Sequence, residues 1–571
     1  MRFLISLLAL PLLAQAPTQA PTLPMKAIIG ATVVDPSGTR IPDAVVLLKG
    51  ERIQQVGPRQ KVKIPEGAER VEAAGQFLVP GFIDAHVHFF QSGGLYTRPD
   101  AFDLRAHKPY AEDQAAIRVG LMDTFARYLR CGVTSVADVG GPMKNFEVRD
   151  LAAKSECAPR VAVAGPLISS VSREALDLGD PPIIKCATAD EARALVRREA
   201  ERKPDFIKIW YVVTPQETVE KNRPVVRAAI QESHRLGFRV AVHATELASA
   251  TAALEEGADI LVHSVADQEV DEAFLKLARE RKAIYCPTLI VSEDYTRTAT
   301  QQFAFSAEEL AWSDPFALGT LFDVRHLSGS AAADRFRKMA EAPKPIQTNA
   351  VLAKNLLKVM RAGIPIALGT DAGNIGTLHG PSIFREMAAM ETAGMTPSEV
   401  LKSATVGGAL VMGNPDLGRI APGALADLVL LDADPALGVK NFSHIIKVIR
   451  GGRIFDPALL IPDGPEALAQ RQLDAYNARD LEAFCAPYSG DIQIVGLDGQ
   501  VQARGKEAFK ARYRDRFQKL TRLHCQLVNR MVVGNFVLDE EAITGTGGDP
   551  IHAVAIYEVR NGKIAVVRFI R

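Results

Sequence analysis

Short apolar runs alternate with helical stretches along the middle of the chain. Continuous apolar runs joined by amphipathic helices predict parallel strands that are buried on both faces. Eight such units predict an α/β fold, a closed (β/α)8 barrel over residues 76–417, with an open doubly wound sheet as the alternative. The predicted strands lie near 77–88, 132–137, 160–165, 205–211, 238–243, 259–263, 283–290 and 364–371.

Both flanks of this region show short strands with alternating apolar and polar residues. One set lies in 25–75 and the other in 418–460, where Gly451 and Gly452 predict a tight hairpin. We expect the two flanks to complete one small β-sandwich that brackets the barrel. A capping box at 396–399 marks the start of the helix after the last barrel strand.

Two further regions depart from the repeating pattern. The stretch from Val291 to about Arg361 is too long for an ordinary crossover, so we expect an insertion that forms a lid over the site. Residues 464–571 form a new unit, in which an amphipathic helix at 467–484 precedes several short strands. This order predicts an α+β domain with a helix packed on a curved sheet.

Charge and composition narrow the class of partner. The chain has 67 basic and 67 acidic residues, so it lacks the charge excess of a protein that binds nucleic acid. An apolar fraction of 47% is ordinary for a globular protein. The expected partner is therefore a small molecule.

Residues 1–24 have the pattern of a signal peptide and leader. Met1 and Arg2 precede an apolar run from Phe3 to Ala14, and small residues follow it. This run is shorter than the roughly 20 residues of a spanning helix, so no membrane span is expected. We expect an exported, periplasmic or extracellular protein; the alternative is a buried first strand or helix.

Candidate metal ligands lie where the predicted barrel strands end. His86 and His88 are two residues apart at the end of an apolar run, so both imidazoles face the same side of a strand. That end of a (β/α)8 barrel carries the active site. A single His-x-His pair is weak support, because surface or core histidines give the same pattern.

Four further strands each carry one residue of ligand type. Lys208 lies inside the apolar string 206–210, where an unpaired ammonium is costly to bury. His243, His263 and Asp371 each end an apolar run. Six such residues at one end of one barrel predict a functional site rather than a set of unrelated structural contacts.

The order His-x-His, Lys, His, His, Asp resembles the amidohydrolase superfamily with a binuclear centre. The strings at 79–84, 132–135, 369–373 and 423–428 are similar to the imidazolonepropionase and Xaa-Pro dipeptidase branch. The resemblance covers roughly residues 25–460. It is specific for the superfamily and much less specific for the substrate.

The resemblance implies two divalent metals, for which we expect zinc. His86, His88 and Asp371 would bind one metal, His243 and His263 the other, and carbamylated Lys208 would bridge them. Such metals lower the pKa of a bridging water and polarise the scissile carbonyl. Asp371 would then carry the proton to the leaving amine, and the net reaction is hydrolysis of an amide, most simply in a dipeptide or peptide-like molecule.

A His-x-x-Glu string supports an alternative chemistry. His243 and Glu246 match the single-metal deaminase branch, in which the glutamate moves the proton in a deaminase or cyclic-amide hydrolase and no bridging lysine is used. Glu246 is also placed to cap the following helix. Tyr211 and His379 are further candidates for substrate contact, with a structural role as the alternative.

The C-terminal unit resembles the SnoaL and ketosteroid-isomerase-like cone superfamily. The strings at 475–480, 504–505 and 556–564 carry this resemblance. That fold hosts enzymes, binding modules and dimerisation domains, so the resemblance alone does not assign a role. We expect an accessory or dimerising domain and hence a homo-oligomer.

Overall fold

The structure, a computed structural model, describes residues 25–343, 345–346, 349–496 and 498–570. The predicted leader at 1–24 lies outside the described residues. Within them, no helix combines the length and apolar character needed to cross a membrane. All six cysteines are free thiols, so Cys485 and Cys525 are not bridged.

Parallel strands form the predicted α/β barrel. A three-stranded parallel sheet holds Phe82–Val87, Val133–Asp138 and Arg160–Val163. A second parallel sheet holds, in order, Ile183–Lys185, Leu167–Ser169, Ile207–Trp210, Val240–His243, Ile260–Val262 and Ile284–Cys286. The chain passes directly from one sheet to the other, because Arg160–Val163 is followed, after a turn at Gly165, by Leu167–Ser169.

The eighth strand position closes the barrel without forming a regular ladder. In the segment 364–371, Ala367 N donates to Tyr285 O (2.9 Å) on one side, and on the other Ala85 N donates to Leu368 O (2.8 Å). Only isolated bridges form here, one of them between Tyr285 and Ile366. The segment is therefore extended and buried between the seventh and first strands, as the sequence predicts.

Helices surround the barrel and build the insertion. Those that follow the barrel strands are Tyr110–Val119, Leu121–Arg130, Asn145–Lys154, Ala189–Ala200, Val219–Arg235, Leu247–Glu256, Glu272–Glu280, Ala350–Arg361, Ser382–Ala393, Pro397–Lys402 and Gly408–Met412. The insertion contains Val291–Thr300, Ala307–Trp312, Pro315–Thr320 and Ala331–Glu341. The predicted capping box is confirmed, because the Thr396 hydroxyl accepts from Glu399 N and the Glu399 carboxylate accepts from Thr396 N.

One continuous, curled sheet forms the predicted sandwich from the two flanks. Its eight strands are Lys26–Val34, Arg40–Lys49, Arg52–Pro58, Glu69–Glu72, Phe77–Pro80, Leu428–Leu431, Ile445–Arg450 and Arg453–Phe455. Leu428–Leu431 pairs with Phe77–Pro80, which joins the flanks into one sheet. The predicted barrel strand at 77–88 is therefore two strands, because residues 77–80 belong to this sheet and the barrel strand begins at Phe82. The sheet curls back on itself, because Ile53 N donates to Ala424 O (2.9 Å), and it encloses an apolar core of its own.

The C-terminal α+β domain, called the cone below, has a six-stranded sheet covered by helices. The strands are Tyr488–Val495, Val501–Arg504, His524–Val533, Phe536–Thr544, Ile551–Arg560 and Lys563–Ile570. The helices are Pro465–Ala478, Leu481–Cys485 and Lys506–Lys519. The predicted helix at 467–484 is two helices, because Arg479 adopts a left-handed conformation (φ 57°) between them.

The cone packs on the insertion through buried polar groups. Arg471 is paired with Asp463 (2.6 Å) and donates to the carbonyls of Leu310 (3.2 Å) and Ser313 (3.1 Å). Leu310 lies in the last turn of Ala307–Trp312, and Ser313 follows that helix directly. Ser313 O also accepts from Arg127 (2.8 Å), so a barrel helix and the cone both hold this point. The cone therefore helps to hold the segment that the sequence predicts as a lid.

Candidate metal centre

His86 and His88 stand together at the end of the first barrel strand, as predicted. The Nε2 atoms of His86 and His88 lie 3.3 Å and 3.2 Å from Asp371 Oδ1. His88 Nδ1 is hydrogen-bonded to the carbonyl of Gly140 (2.7 Å), which leaves Nε2 as the atom that faces Asp371. Such a backbone contact fixes the orientation of a metal-binding imidazole.

His243 and His263 complete a cluster of four imidazoles. The ring centroids of His243 and His263 are 4.4 Å apart, and those of His86 and His263 are 4.8 Å apart. His263 Nδ1 contacts the Thr288 hydroxyl at 2.7 Å. Burial is the main cause that lowers the pKa of His86 to about 4 and that of His243 to about 3. His86 and His243 are therefore neutral at physiological pH, the form that binds metal.

Lys208 is buried beside this cluster. Only 1% of the residue is exposed, and its Nζ atom has no hydrogen bond to any residue that the structure describes. Burial lowers the pKa of Lys208 to about 7, and it interacts electrostatically with Asp371. An amine in such a place is costly unless another group satisfies it.

The donor atoms fit a bound divalent metal. Ligand atoms of His86, His263 and Asp371 lie within 4.8 Å of one another. Among the described residues, neither ring nitrogen of His86 forms a hydrogen bond, and Lys208 Nζ forms none either. Buried polar atoms are normally paired, so this converging set of donors is suited to bind a metal ion. Imidazole and carboxylate donors suit zinc and similar transition metals.

The backbone at the centre is strained. Asp371 and His263 have φ angles of 63° and 73°, and Thr288, the partner of His263, has a φ of 45°. Left-handed conformations are costly for residues other than glycine and cluster at functional sites. Here the left-handed conformations direct the side chains of Asp371, His263 and Thr288 towards the metal centre.

Asp371 is held as a carboxylate by its neighbours. Burial acts to raise its pKa, but the adjacent His86 and His88 outweigh this and keep the pKa of Asp371 well below its usual range. Asn374 Nδ2 also donates to Asp371 Oδ1 at 2.7 Å. An ionised carboxylate in this position can bind a cation or accept a proton.

A network that the sequence analysis missed extends from Asp371 into the cavity. Asn374 Oδ1 accepts from the Tyr295 hydroxyl (2.7 Å) and from Arg98 (2.6 Å), and Arg98 forms two further bonds with Asp100 (2.7 and 2.8 Å). Asn374 lies three residues after Asp371, which is a usable signal. Arg98 and Tyr295 lie in distant segments, and no spacing in the sequence connects them.

Two buried carboxylates that were not predicted support the strand ends. Asp84 accepts from the Thr370 hydroxyl at 2.7 Å and from Thr370 N at 3.0 Å. Asp138 accepts from the Asn145 amide at 2.6 Å. Burial raises the pKa of each carboxyl to about 7. Asp84 thereby ties the first strand to the segment that carries Asp371.

The predicted ligands open into a cavity of about 580 Å³. His88, Lys208, His243, His263 and Asp371 all line it. The insertion contributes Val291, Ser292 and Tyr295, so its first helix forms part of the cavity wall. Its role as a lid stays a prediction. Its remaining walls include the apolar side chains of Phe90, Leu167, Leu176, Ile183, Trp210 and Leu352.

The three predicted substrate contacts lie outside the lining of this cavity. The Tyr211 hydroxyl donates to the carbonyl of Val219 (2.7 Å). His379 is hydrogen-bonded to the Tyr128 hydroxyl (2.7 Å) and to Gln91 O. The Glu246 carboxylate accepts from the hydroxyls of its neighbours at positions 245 and 249. Substrate contact by these residues stays a prediction that this geometry does not favour.

Comparisons with known proteins agree with the fold and with the family resemblance. The model of the amidohydrolase family matches residues 77–455, and that of the SnoaL-like domain matches 469–567. Imidazolonepropionase from Streptomyces coelicolor is 26% identical over 412 residues, 68% of this chain and 86% of that protein. Ochratoxinase from Aspergillus niger is 24% identical over 479 residues, 77% of this chain and 88% of that protein.

Solved structures share the fold. A Xaa-Pro dipeptidase with bound methionine in the active site aligns with a TM-score of 0.57 at 20% identity and covers 76% of this chain and all of its own. The A. niger ochratoxinase structure gives the same TM-score at 21% identity, with 76% of this chain and 96% of its own covered. Both predicted resemblances, to the imidazolonepropionase and Xaa-Pro dipeptidase branch and to the SnoaL-like domain, are confirmed. The chain belongs to the amidohydrolase family and is a hydrolase of carbon–nitrogen bonds.

Proposed function

We propose that this enzyme cleaves the amide bond of a dipeptide or a peptide-like small molecule with the help of two divalent metal ions, most simply zinc. The observation that carries the proposal is Lys208, an amine that is buried among imidazoles and has no hydrogen-bond partner in the part of the chain that the structure describes. Carbamylation by carbon dioxide turns this amine into an anionic oxygen ligand. That change removes the cost of burying it and supplies the group that two nearby cations require.

The residues divide into two sets of ligands. His86, His88 and Asp371 would hold one ion, because both imidazoles face the same carboxylate oxygen. His243 and His263 would hold the other, and carbamylated Lys208 would be shared. When bound, such ions acidify water and polarise a carbonyl.

Asp371 is the residue that moves the proton. Its carboxylate is ionised, faces both His86 and His88, and is oriented by Asn374. It would accept the proton of the attacking water and donate it to the nitrogen of the leaving amine as the C–N bond breaks. The strained backbone at Asp371 fixes its position for both steps.

The cavity supports a small substrate. Its volume of about 580 Å³ falls within the range of about 300–1,000 Å³ of small-molecule sites. Apolar walls and the guanidinium of Arg98 give the mixed lining that suits a peptide-like molecule with one polar end. A single-metal reaction through Glu246 is the alternative, although the carboxylate of Glu246 is bonded to Ser249.

Lys208→Ala tests the proposal directly. We expect the variant to lose most of its metal and nearly all turnover, because it lacks the shared anionic ligand. Acetate or propionate should restore part of the activity by filling the gap. Metal per chain is measured by elemental analysis, and turnover by amino-acid release from a panel of dipeptides and N-acyl amino acids.

Two control variants separate the mechanisms. Lys185→Ala removes an exposed lysine at the end of a neighbouring strand and should leave metal and turnover unchanged. Glu246→Gln should abolish activity only under the single-metal alternative. Under that alternative, Lys208→Ala keeps one bound metal, and a deaminase would release ammonia instead of an amino acid. Parental metal content and turnover in Lys208→Ala would rule out the carbamate bridge.

A further inference from the structure

The cone contains a cavity of its own, separate from the metal centre. Its volume is about 210 Å³, smaller than the sites of drug-sized ligands. Aromatic rings form much of its wall, those of Tyr476, Phe484, Tyr488, Tyr513, Tyr557 and Phe569. Such a wall suits a small ligand with an apolar or aromatic part.

A directed chain of hydrogen bonds runs along the cavity. The Tyr488 hydroxyl donates to Gln472 Oε1 (3.2 Å), and Gln472 Nε2 donates to Tyr557 Oη (2.9 Å). The Tyr557 hydroxyl then donates to Glu541 Oε1 (2.9 Å). Both tyrosine hydroxyls donate within this chain, and it ends on the carboxyl group of Glu541, which lines the cavity.

Glu541 is a buried acid without a cation. Only 5% of it is exposed, and among the described residues it forms no ion pair. The Cys525 thiol is its other hydrogen-bonding neighbour, and nearby Arg530 is taken by Asp539 in a two-point ion pair. Burial raises the pKa of Glu541 to about 7. A positively charged donor in the cavity would satisfy this carboxyl group.

Two arginines supply the opposite charge in the same cavity. Arg512 is exposed, Arg516 is half-buried, and both line the cavity. Arg516 donates to the Tyr476 hydroxyl (3.1 Å). Neither guanidinium forms an ion pair within the described part of the chain. The cavity therefore combines one buried carboxyl group, two guanidinium groups without an acidic partner among the described residues, and an aromatic wall.

We propose that the cone cavity binds a free amino acid with an apolar or aromatic side chain. The ammonium group would donate to Glu541, the carboxylate would accept from Arg512 and Arg516, and the side chain would pack against the rings. Each part of such a ligand meets a matching group, and no covalent step is involved. This site is independent of the reaction proposed for the barrel.

Titration calorimetry of the full-length, metal-loaded protein with L-phenylalanine tests the proposal. We expect Glu541→Gln to weaken the cone's binding by about tenfold or more, because a charge-assisted hydrogen bond is lost. Glu540→Gln is the matched control, since Glu540 is the exposed neighbour on the same strand, and it should bind like the parent.

Arg512→Gln provides a second test that does not disturb a buried group. It should weaken the binding of phenylalanine but not that of phenethylamine, which has no carboxylate. If the barrel also binds phenylalanine, Glu541→Gln should remove one of two binding events. Absence of binding at millimolar phenylalanine, or an isotherm that Glu541→Gln leaves unchanged, would overturn the proposal.

Discussion

At the scale of single residues, the centre depends on groups that hold one another in place. Asp371 contacts two imidazoles, accepts from Asn374 and has a strained backbone, so its position is fixed from several sides. Asn374 in turn receives hydrogen bonds from Arg98 and Tyr295. The loop that carries Arg98, the insertion helix that carries Tyr295 and the last barrel segment therefore all help to position the Asp371 carboxylate.

Asn374→Ala should lower kcat by about 10–100-fold, the usual effect of losing a partner that orients a metal-site residue. The imidazoles and Lys208 are untouched, so metal per chain should stay close to that of the parent. Tyr295→Phe, which removes one hydrogen bond to the same amide, should have a smaller effect. Steady-state kinetics with parallel metal analysis measures this, and a parental kcat in Asn374→Ala would show that Asp371 needs no such support.

At the scale of elements, the insertion connects the metal centre to the cone. Its first helix, Val291–Thr300, lines the cavity, and its later part meets the cone through Arg471. A second contact joins His326 of the insertion to His524 of the cone, with Nδ1 and Nε2 3.2 Å apart. These two imidazoles are the basis for a prediction about pH.

Stability of the interface between insertion and cone should fall in mild acid. Burial lowers the pKa of His326 to about 4 and that of His524 to about 3, with His107, Asp323 and Arg325 as the other nearby groups. The unfolded chain takes up these protons near pH 6.5, so the contribution is complete above that pH and is lost as pH falls towards 4. At pH 5 one such histidine lowers the free energy of unfolding by about 2 kcal/mol relative to its value above pH 6.5.

Thermal unfolding at pH 7.5 and pH 5 measures this loss. His524→Gln should reduce the difference in Tm between the two conditions, because one of the groups that resist protonation is gone. His552→Gln, at an exposed histidine of the same domain, should keep the full difference. Equal pH dependence in the His524 and His552 variants would contradict the assignment.

At the scale of the whole molecule, the barrel and the cone have separate apolar cores, and both of them contact the insertion. All six predicted ligands precede residue 462, and the cone has an apolar cluster of its own. The buried arginine at 471 and the histidine at 524 nevertheless contact the insertion. Loss of the cone should therefore affect the lid more than the ligands.

Deleting everything after about residue 462 should leave metal binding intact and lower turnover. The ligands and their barrel remain, but Leu310 O and Ser313 O lose their hydrogen bonds from Arg471, and only Ser313 O keeps one from Arg127, so the insertion is less well held. Metal per chain, turnover and limited proteolysis of the insertion measure the two effects. A folded barrel that takes up no metal would refute the accessory role of the cone.

The sequence by itself determined the elements and which residues end them. Apolar strings such as 206–210 and 240–243 predicted the buried strands, because period and hydrophobicity are local properties. The ends of the apolar runs predicted the common location of His86, His88, His243, His263 and Asp371, because all parallel strands of a barrel end on one side. Lys208 was predicted from its place inside an apolar string, where an unpaired ammonium is costly.

Only the tertiary structure decided what surrounds those ligands. The left-handed turn at Asp371, the path from Arg98 to Asn374 and the lid position of Tyr295 depend on segments far apart in the chain. The helix break at Arg479 and the burial of the Glu541 carboxyl group in the cone cavity also depend on tertiary packing. Such contacts follow from how strands, loops and domains pack in three dimensions, and hydrophobic period along the chain carries no information about them.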